Sequence, residues 1–191
     1  MTKRILIIII ALIYTPALII STHGQHKFAP DYFGVQYAGY TGVLSVMGGY
    51  NIGNSRIGMG ILYGYSPSYI TGTDIHTLSV KSTFYFKKIA QIGFNEIYPI
   101  LNASLMCEMG QNSELFPGKK YPKGYYMTNS LNVPLSTGIA IRRNPLDKDK
   151  PGLEYGLEIC TLARYLYYYA VALGNINPGI ATLAISVKIF L

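Results

Sequence analysis

Tryptophan is absent from this chain, cysteine occurs twice, and 13% of its 191 residues are charged. Two cysteines cannot build the cross-linked framework that holds many small secreted folds together. The charges are mostly scattered and form no extended basic patch, so a nucleic-acid partner is not expected. Beyond residue 20 no apolar run approaches the roughly 20 residues of a membrane-spanning helix. No segment there carries a convincing apolar stripe of period 3.6. Phosphate loops are missing as well: Gly58-Met59-Gly60 continues into Ile61, Leu62, Tyr63 and Gly64, which lacks the dinucleotide spacing. Beyond residue 24 the histidines are His26 and His76, without clustered Cys, Asp or Glu, so neither a metal nor another cofactor is expected. What the chain has instead is tyrosine (18) and glycine (20), together with Ile, Val and Phe. That composition suits a pleated sheet.

The N-terminus carries Lys3 and Arg4, an apolar run from Ile5 to Ile20 interrupted by Pro16, and then Ser21-Thr22-His23-Gly24-Gln25. A positive start, a short apolar stretch and small residues at a cut describe a secretory signal peptide. Cleavage is expected after Gly24, and no cysteine lies nearby to take a lipid. The expected organisation is therefore a signal peptide over 1–24, a short segment over 25–31 and one domain over 32–191. Without residues 1–24, 14 basic residues face 9 acidic ones, a net charge of +5. Such a charge suits contact with anionic lipid or lipopolysaccharide, and it suits plain solubility equally well.

From residue 32 onward, side chains alternate in character at the length of a tilted membrane strand, about 9–11 residues. The last strand shows the rule. Leu183, Ile185, Val187, Ile189 and Leu191 share one parity, while Thr182, Ala184, Ser186, Lys188 and Phe190 share the other. Successive side chains of a strand point to opposite faces, so one face is aliphatic and the other mixed. Seven further segments are expected as strands: Tyr32–Gly39, Gly42–Asn51, Arg56–Tyr65, His76–Phe86, Tyr98–Cys107, Leu131–Ile141 and Leu153–Leu162. Pro134 inside the sixth costs a ladder hydrogen bond and predicts a bulge. Cys107 and Cys160 fall on opposite parities, so they are read as packing residues and not as a disulfide.

The mixed face carries Arg56, Lys81, Glu154, Glu158 and Lys188. Five ionisable groups on the inner face of a sandwich would be prohibitively expensive to bury unpaired. In the lumen of a small barrel they can pair with one another, as a lumen charge network, while the aliphatic face looks out to lipid. Connections agree. With the N-terminus periplasmic, the links Ile52–Ser55, Lys87–Ile97 and Arg142–Gly152 lie on that side. The turn near Tyr40, Ser66–Ile75 and the two longest links, Glu108–Ser130 and Ala163–Gly179, lie outside. Tyrosines gather at the upper strand ends (Tyr63, Tyr65, Tyr125, Tyr126, Tyr165), and Tyr50, Phe84, Phe86 and Tyr98 at the lower ends, as interfacial girdles do.

This pattern resembles the small eight-stranded outer-membrane barrels exemplified by OmpA and OmpX domains. The likeness covers the whole domain but is architectural, with no diagnostic motif. It implies an all-β, antiparallel, up-and-down transmembrane barrel, and barrel-assembly machinery as a partner during biogenesis. The final strand is similar to the recognition strand of such proteins, which typically ends in an aromatic residue. Here Phe190 is penultimate and Leu191 last.

Candidate chemistry is sparse. Lipid A deacylases carry His, Ser and an acidic residue on the lipid-facing wall, and His76 with Ser79 is the pair to compare. Period two sets these two on opposite faces, whereas a nucleophile and its base must be within hydrogen-bond reach. Glu154 and Glu158 stand roughly 13 Å apart along one strand face, too far for a shared proton. Eight strands leave an interior just wide enough for side chains, which argues against a diffusion pore. Lys119, Lys120 and Lys123, beside Tyr125 and Tyr126 in the longest outer link, form a candidate surface for lipopolysaccharide or an envelope partner. The expected function is thus a non-enzymatic outer-membrane protein with a filled lumen. A lipid hydrolase is the alternative, and a small-solute conduit the third reading.

Overall fold

The computed structural model describes residues 29–53, 56–110, 130–143, 151–171 and 181–191. Within them, Pro30–Phe190 make one compact unit. Its strands are β1 (Tyr32–Ala38), β2 (Leu44–Ile52), β3 (Ile57–Ser66), β4 (Ile75–Tyr85), β5 (Ala90–Ile92), β6 (Asn95–Gly110), β7 (Leu131–Asn132), β8 (Pro134–Arg143), β9 (Gly152–Leu162) and β10 (Ala181–Phe190). Neighbouring strands of the wall pair antiparallel, β4 with β6 and β6 with β8 among them, and β1 pairs with β10 to close the sheet. Since β7 and β8 continue one line and β5 forms a hairpin with β6, the wall has eight strands.

Every seam of the wall holds one register from end to end. Followed around from Tyr32, with each register extended past the strand ends, the pairing returns to the first strand at position 42, ten residues on. Eight strands with that offset, at about 3.3 Å per residue and 4.8 Å between strands, tilt by roughly 40° from the axis. Each residue then advances about 2.5 Å along the axis, within the geometry of small closed barrels.

Alternation sorts the side chains accordingly. Along β3, residues Gly58, Gly60, Leu62, Gly64 and Ser66 are buried, while Ile57, Met59, Ile61, Tyr63 and Tyr65 are exposed. Buried aromatics and aliphatics fill the end where β1 starts: Tyr32, Met47 and Leu62 pack with Phe190, and Tyr85, Ile100 and Ala140 pack with Tyr98. This is called the near end below, and the end bearing the β1–β2 turn the far end. Two glycines are demanded by close approach. A Cβ at Gly64 would overlap the carbonyl oxygen of Thr41, and one at Gly138 would overlap that of Leu157.

Three expectations need correction. Pro134 causes no bulge: Met106 faces Asn132 and Ala103 faces Leu135 in the same register, so the ladder merely lacks the hydrogen bond that proline cannot donate. The link after β4 is not a loop throughout. Lys87 to Ile89 stand opposite Tyr98 alone, and the chain then pairs as the β5–β6 hairpin, turning at Gly93 with φ of 60°. Finally, the link after β9 begins with a helix, α2 (Ala163–Val171), following the short α1 (Ser68–Thr71).

These glycine contacts make a direct test. Gly138→Val should cost more than about 3 kcal/mol through forced overlap of backbone. Gly58→Ala, whose Cβ would meet nothing closer than the Tyr85 ring at 3.6 Å, should shift stability by less than about 1 kcal/mol. Equilibrium unfolding in urea compares the two.

Candidate functional site

The inward parity of β4, β9 and β10 delivers Lys81, Glu154, Glu158 and Lys188 to the barrel interior, where their residue exposures are 6%, 1%, 2% and 4%. Neighbouring strands bring them into partnership. Lys188 stands opposite Glu154 in the β9–β10 register, and Arg142 stands opposite Glu154 in the β8–β9 register. One carboxylate is therefore flanked by a cation from each side.

Near-end charges converge on Glu154. Its Oε1 accepts from Tyr85 Oη at 2.8 Å and Lys188 Nζ at 2.9 Å; its Oε2 accepts from Arg142 Nη2 at 2.8 Å and Nε at 3.1 Å. Lys188 also donates to the Tyr85 hydroxyl at 2.9 Å. The Arg142 guanidinium lies 4.8 Å from the Tyr85 ring centre and 4.7 Å from that of Phe190, so aromatic faces supply further contact for the cation.

A second cluster surrounds Glu158 midway along the barrel. Lys81 Nζ donates to both of its oxygens, at 2.8 and 2.9 Å, and to Gln36 Oε1 at 3.1 Å. Ser136 donates to Glu158 Oε2 at 2.7 Å and receives a bond from Asn102. Gln36 passes the network to Thr41, whose carbonyl takes bonds from Ser45 and Thr77 at the far end. Buried charges with this many hydrogen bonds are compensated, whereas an unpaired one would be expensive.

Four residues of the predicted lumen network thus come together, and Arg56 does not. It occupies the turn before β3 and is exposed, because β3 begins one residue after it, at Ile57. Arg142 takes the inner position instead. The sequence reading placed Arg142 in a link, although the inward run Gly138, Ala140 points straight to it. Tyr85 was on the inward parity, but its role as a shared hydroxyl between Glu154 and Lys188 has no sequence signature.

His76 and Ser79 lie on opposite faces of β4. Ser79 is buried inside, and its hydroxyl has no hydrogen-bond partner among the described residues. The His76 ring is on the outer wall, packed against Tyr63 and Tyr65, with Nδ1 2.7 Å from Tyr63 Oη. Just beyond it, Asp74 Oδ1 accepts from Tyr65 Oη and from the Ser68 N–H, both at 2.8 Å. These bonds, the tyrosine hydroxyl first, hold the Asp74 carboxyl below its ordinary range. No nucleophile–base pair results at this outer wall among the described residues. At the far mouth a cleft of about 290 Å³ is lined by Tyr40, Ser66, Thr77 and Glu108, among others. No group of three or more His, Cys, Asp or Glu able to hold a metal occurs among the described residues. The candidate loop residues Lys119, Lys120, Lys123, Tyr125 and Tyr126 lie outside the described residues.

Two outcomes test this geometry. Glu158→Gln leaves Lys81 buried without its counter-charge and should cost about 3–5 kcal/mol, while Glu158→Leu with Lys81→Met should cost much less. Urea unfolding of the three proteins reads the difference. At the outer wall, the folded Asp74 carboxyl titrates below its unfolded value of about 3.9, so its bonds are complete above that pH and fade only on further acidification. The Ser68 amide shift, followed by NMR, should therefore hold steady down to about pH 4 and should change at neutral pH in Asp74→Asn. No protein-family model, curated protein or solved structure matches this chain.

Proposed function

We propose that the chain is a non-enzymatic outer-membrane β-barrel protein of a diderm bacterium, exported by a cleaved signal peptide, with a filled lumen and with interaction carried by its outer loops. The carrying observation is the inverted polarity of the barrel. Ile61, Leu105 and Leu183 are each about 60% exposed on the outside, while Glu154 and Glu158 are at most 2% exposed inside. In water this arrangement leaves a wide apolar surface bare, where burying each large aliphatic side chain is worth about 1.5–3 kcal/mol. In a bilayer the same surface is satisfied, and a closed sheet leaves no unpaired edge.

Dimensions support this setting. A ten-residue strand advancing about 2.5 Å per residue spans about 25 Å, the height of the apolar band in outer-membrane barrels. Outward Tyr63, Tyr65 and His76 mark its far edge, and Tyr50, Phe84, Phe86 and Tyr155 its near edge. Such aromatic belts suit the headgroup level. The compensated charges at the axis favour a plug over a conduit, and the separation of His76 from Ser79 disfavours the hydrolase alternative. On this reading the partners are outer-membrane lipid and lipopolysaccharide, the assembly machinery during biogenesis, and an envelope protein met by the loops.

Cell fractionation decides the matter. The protein should sediment with outer membranes and migrate faster on gels when unheated than when boiled. His76→Ala should leave the mass of lipid A in those cells unchanged. A mature chain recovered in the soluble periplasm would overturn the proposal.

A further inference from the structure

We infer that the near end carries a binding site for anionic phospholipid, formed on the outer wall by β4, the β5–β6 hairpin and β8; this rests on the membrane reading above. Apolar and cationic groups are layered there in the order of a lipid molecule. Phe84 and Phe86 meet edge to face at 5.0 Å, and both are exposed on the outer wall. Beside them the outward positions of β6 and β8 are Pro99 opposite Ile139 and Ile97 opposite Ile141. This is a surface for acyl chain.

Cations follow immediately at its foot. Lys87 comes directly after Phe86, at the point where the chain leaves the β4 ladder, and is exposed. Arg143 ends β8 on the same parity as Ile139 and Ile141, and is exposed as well. Arg143 pairs with Asn95 on β6, and Lys87 lies opposite Tyr98 on the other side of β6, so the two backbone positions are two inter-strand steps and three residues apart, roughly 14 Å. Long flexible side chains can close that distance around one phosphodiester.

Among the described residues the acid available nearby is already engaged. Glu96 accepts from Lys88 Nζ at 2.8 Å and from Tyr98 Oη at 2.6 Å. Glu154 is buried beneath Arg142, Lys188 and Tyr85. Neither Lys87 nor Arg143 forms an ion pair with a described residue. An apolar wall ending at headgroup depth in cations that no described acid pairs with selects lipid with net negative charge over zwitterionic lipid.

The test is lipid retention by the folded full-length mature protein, measured by native mass spectrometry from zwitterionic detergent. Phosphatidylglycerol and phosphatidylcholine of identical chains are titrated in competition. At roughly fivefold per cation, the wild type should favour phosphatidylglycerol by about 10- to 30-fold. Lys87→Gln with Arg143→Gln should bring the ratio near unity, and Lys87→Arg with Arg143→Lys should retain the preference. Equal retention of both lipids by the wild type, or an unchanged ratio in the glutamine variant, would overturn the site. Heat-modifiable migration and entry into phosphatidylcholine vesicles, scored on the same samples, keep the two proposals apart. If both occur without lipid preference, the site alone is wrong; if neither occurs, the membrane reading falls and takes the site with it.

Discussion

Everything in this barrel depends on two buried carboxylates finding enough donors. Glu154 and Glu158 sit on one strand face in the narrow axis of an eight-stranded wall, where water is scarce. Glu154 is met by three side chains from three strands, β4, β8 and β10, and Glu158 by Lys81 and Ser136 from the first two of these. Through Tyr85 and Lys81 these contacts connect β4 to β9 and β10 across the middle, where no backbone ladder joins them, and they reinforce the β8–β9 and β9–β10 seams. The ladder closes the wall, and the ion pairs determine which residues face its axis. A slip of one residue in any of these strands would turn the charge outward and an aliphatic side chain inward.

Constant register and small residues make this arrangement geometrically possible. A ten-residue offset over eight strands sets the radius, and a radius that small cannot accept a large side chain at each inward position. Glycine therefore alternates with bulk: Gly64 lies under the Thr41 carbonyl, Gly138 against Leu157, and space is left for Tyr85 and Lys188. Two requirements that look separate, neutral charge and filled volume, are met by the same side chains. The Arg142 guanidinium does both, since it pairs with Glu154 and stacks over Tyr85 and Phe190.

Period-two alternation made the eight strands of the wall and the facing of Lys81, Glu154, Glu158 and Lys188 legible before any coordinates. That signal survives because each strand has one aliphatic and one polar face, and tertiary context cannot override it without burying or exposing the wrong set. It fails where a strand stops. Arg56 and Arg142 both lie within one residue of a strand end, and the alternation cannot say on which side of the end a residue falls. The β5–β6 hairpin was hidden because Lys87 to Ile89 break the parity that links it to β4. The α2 helix was hidden because nine residues rich in tyrosine give no clear apolar stripe. Pro134 misled in the other direction: a missing donor can be tolerated as a gap, and a gap does not disturb register.

The same polarity that organises the wall limits what it can do. The charged side chains on the inside are occupied with one another, and those on the outside are mostly aliphatic, so reactive groups are kept apart by the sheet itself. His76 and Ser79 illustrate this, being three residues apart in sequence and separated by the thickness of the wall. A barrel built this way offers recognition only at its two ends and along its outer face. At the near end the described residues place exposed cations directly beneath exposed phenylalanines, and at the far end they place Asp74 and the His76–tyrosine cluster. Among the described residues the two ends thus differ in charge, an asymmetry that accords with the proposed membrane setting.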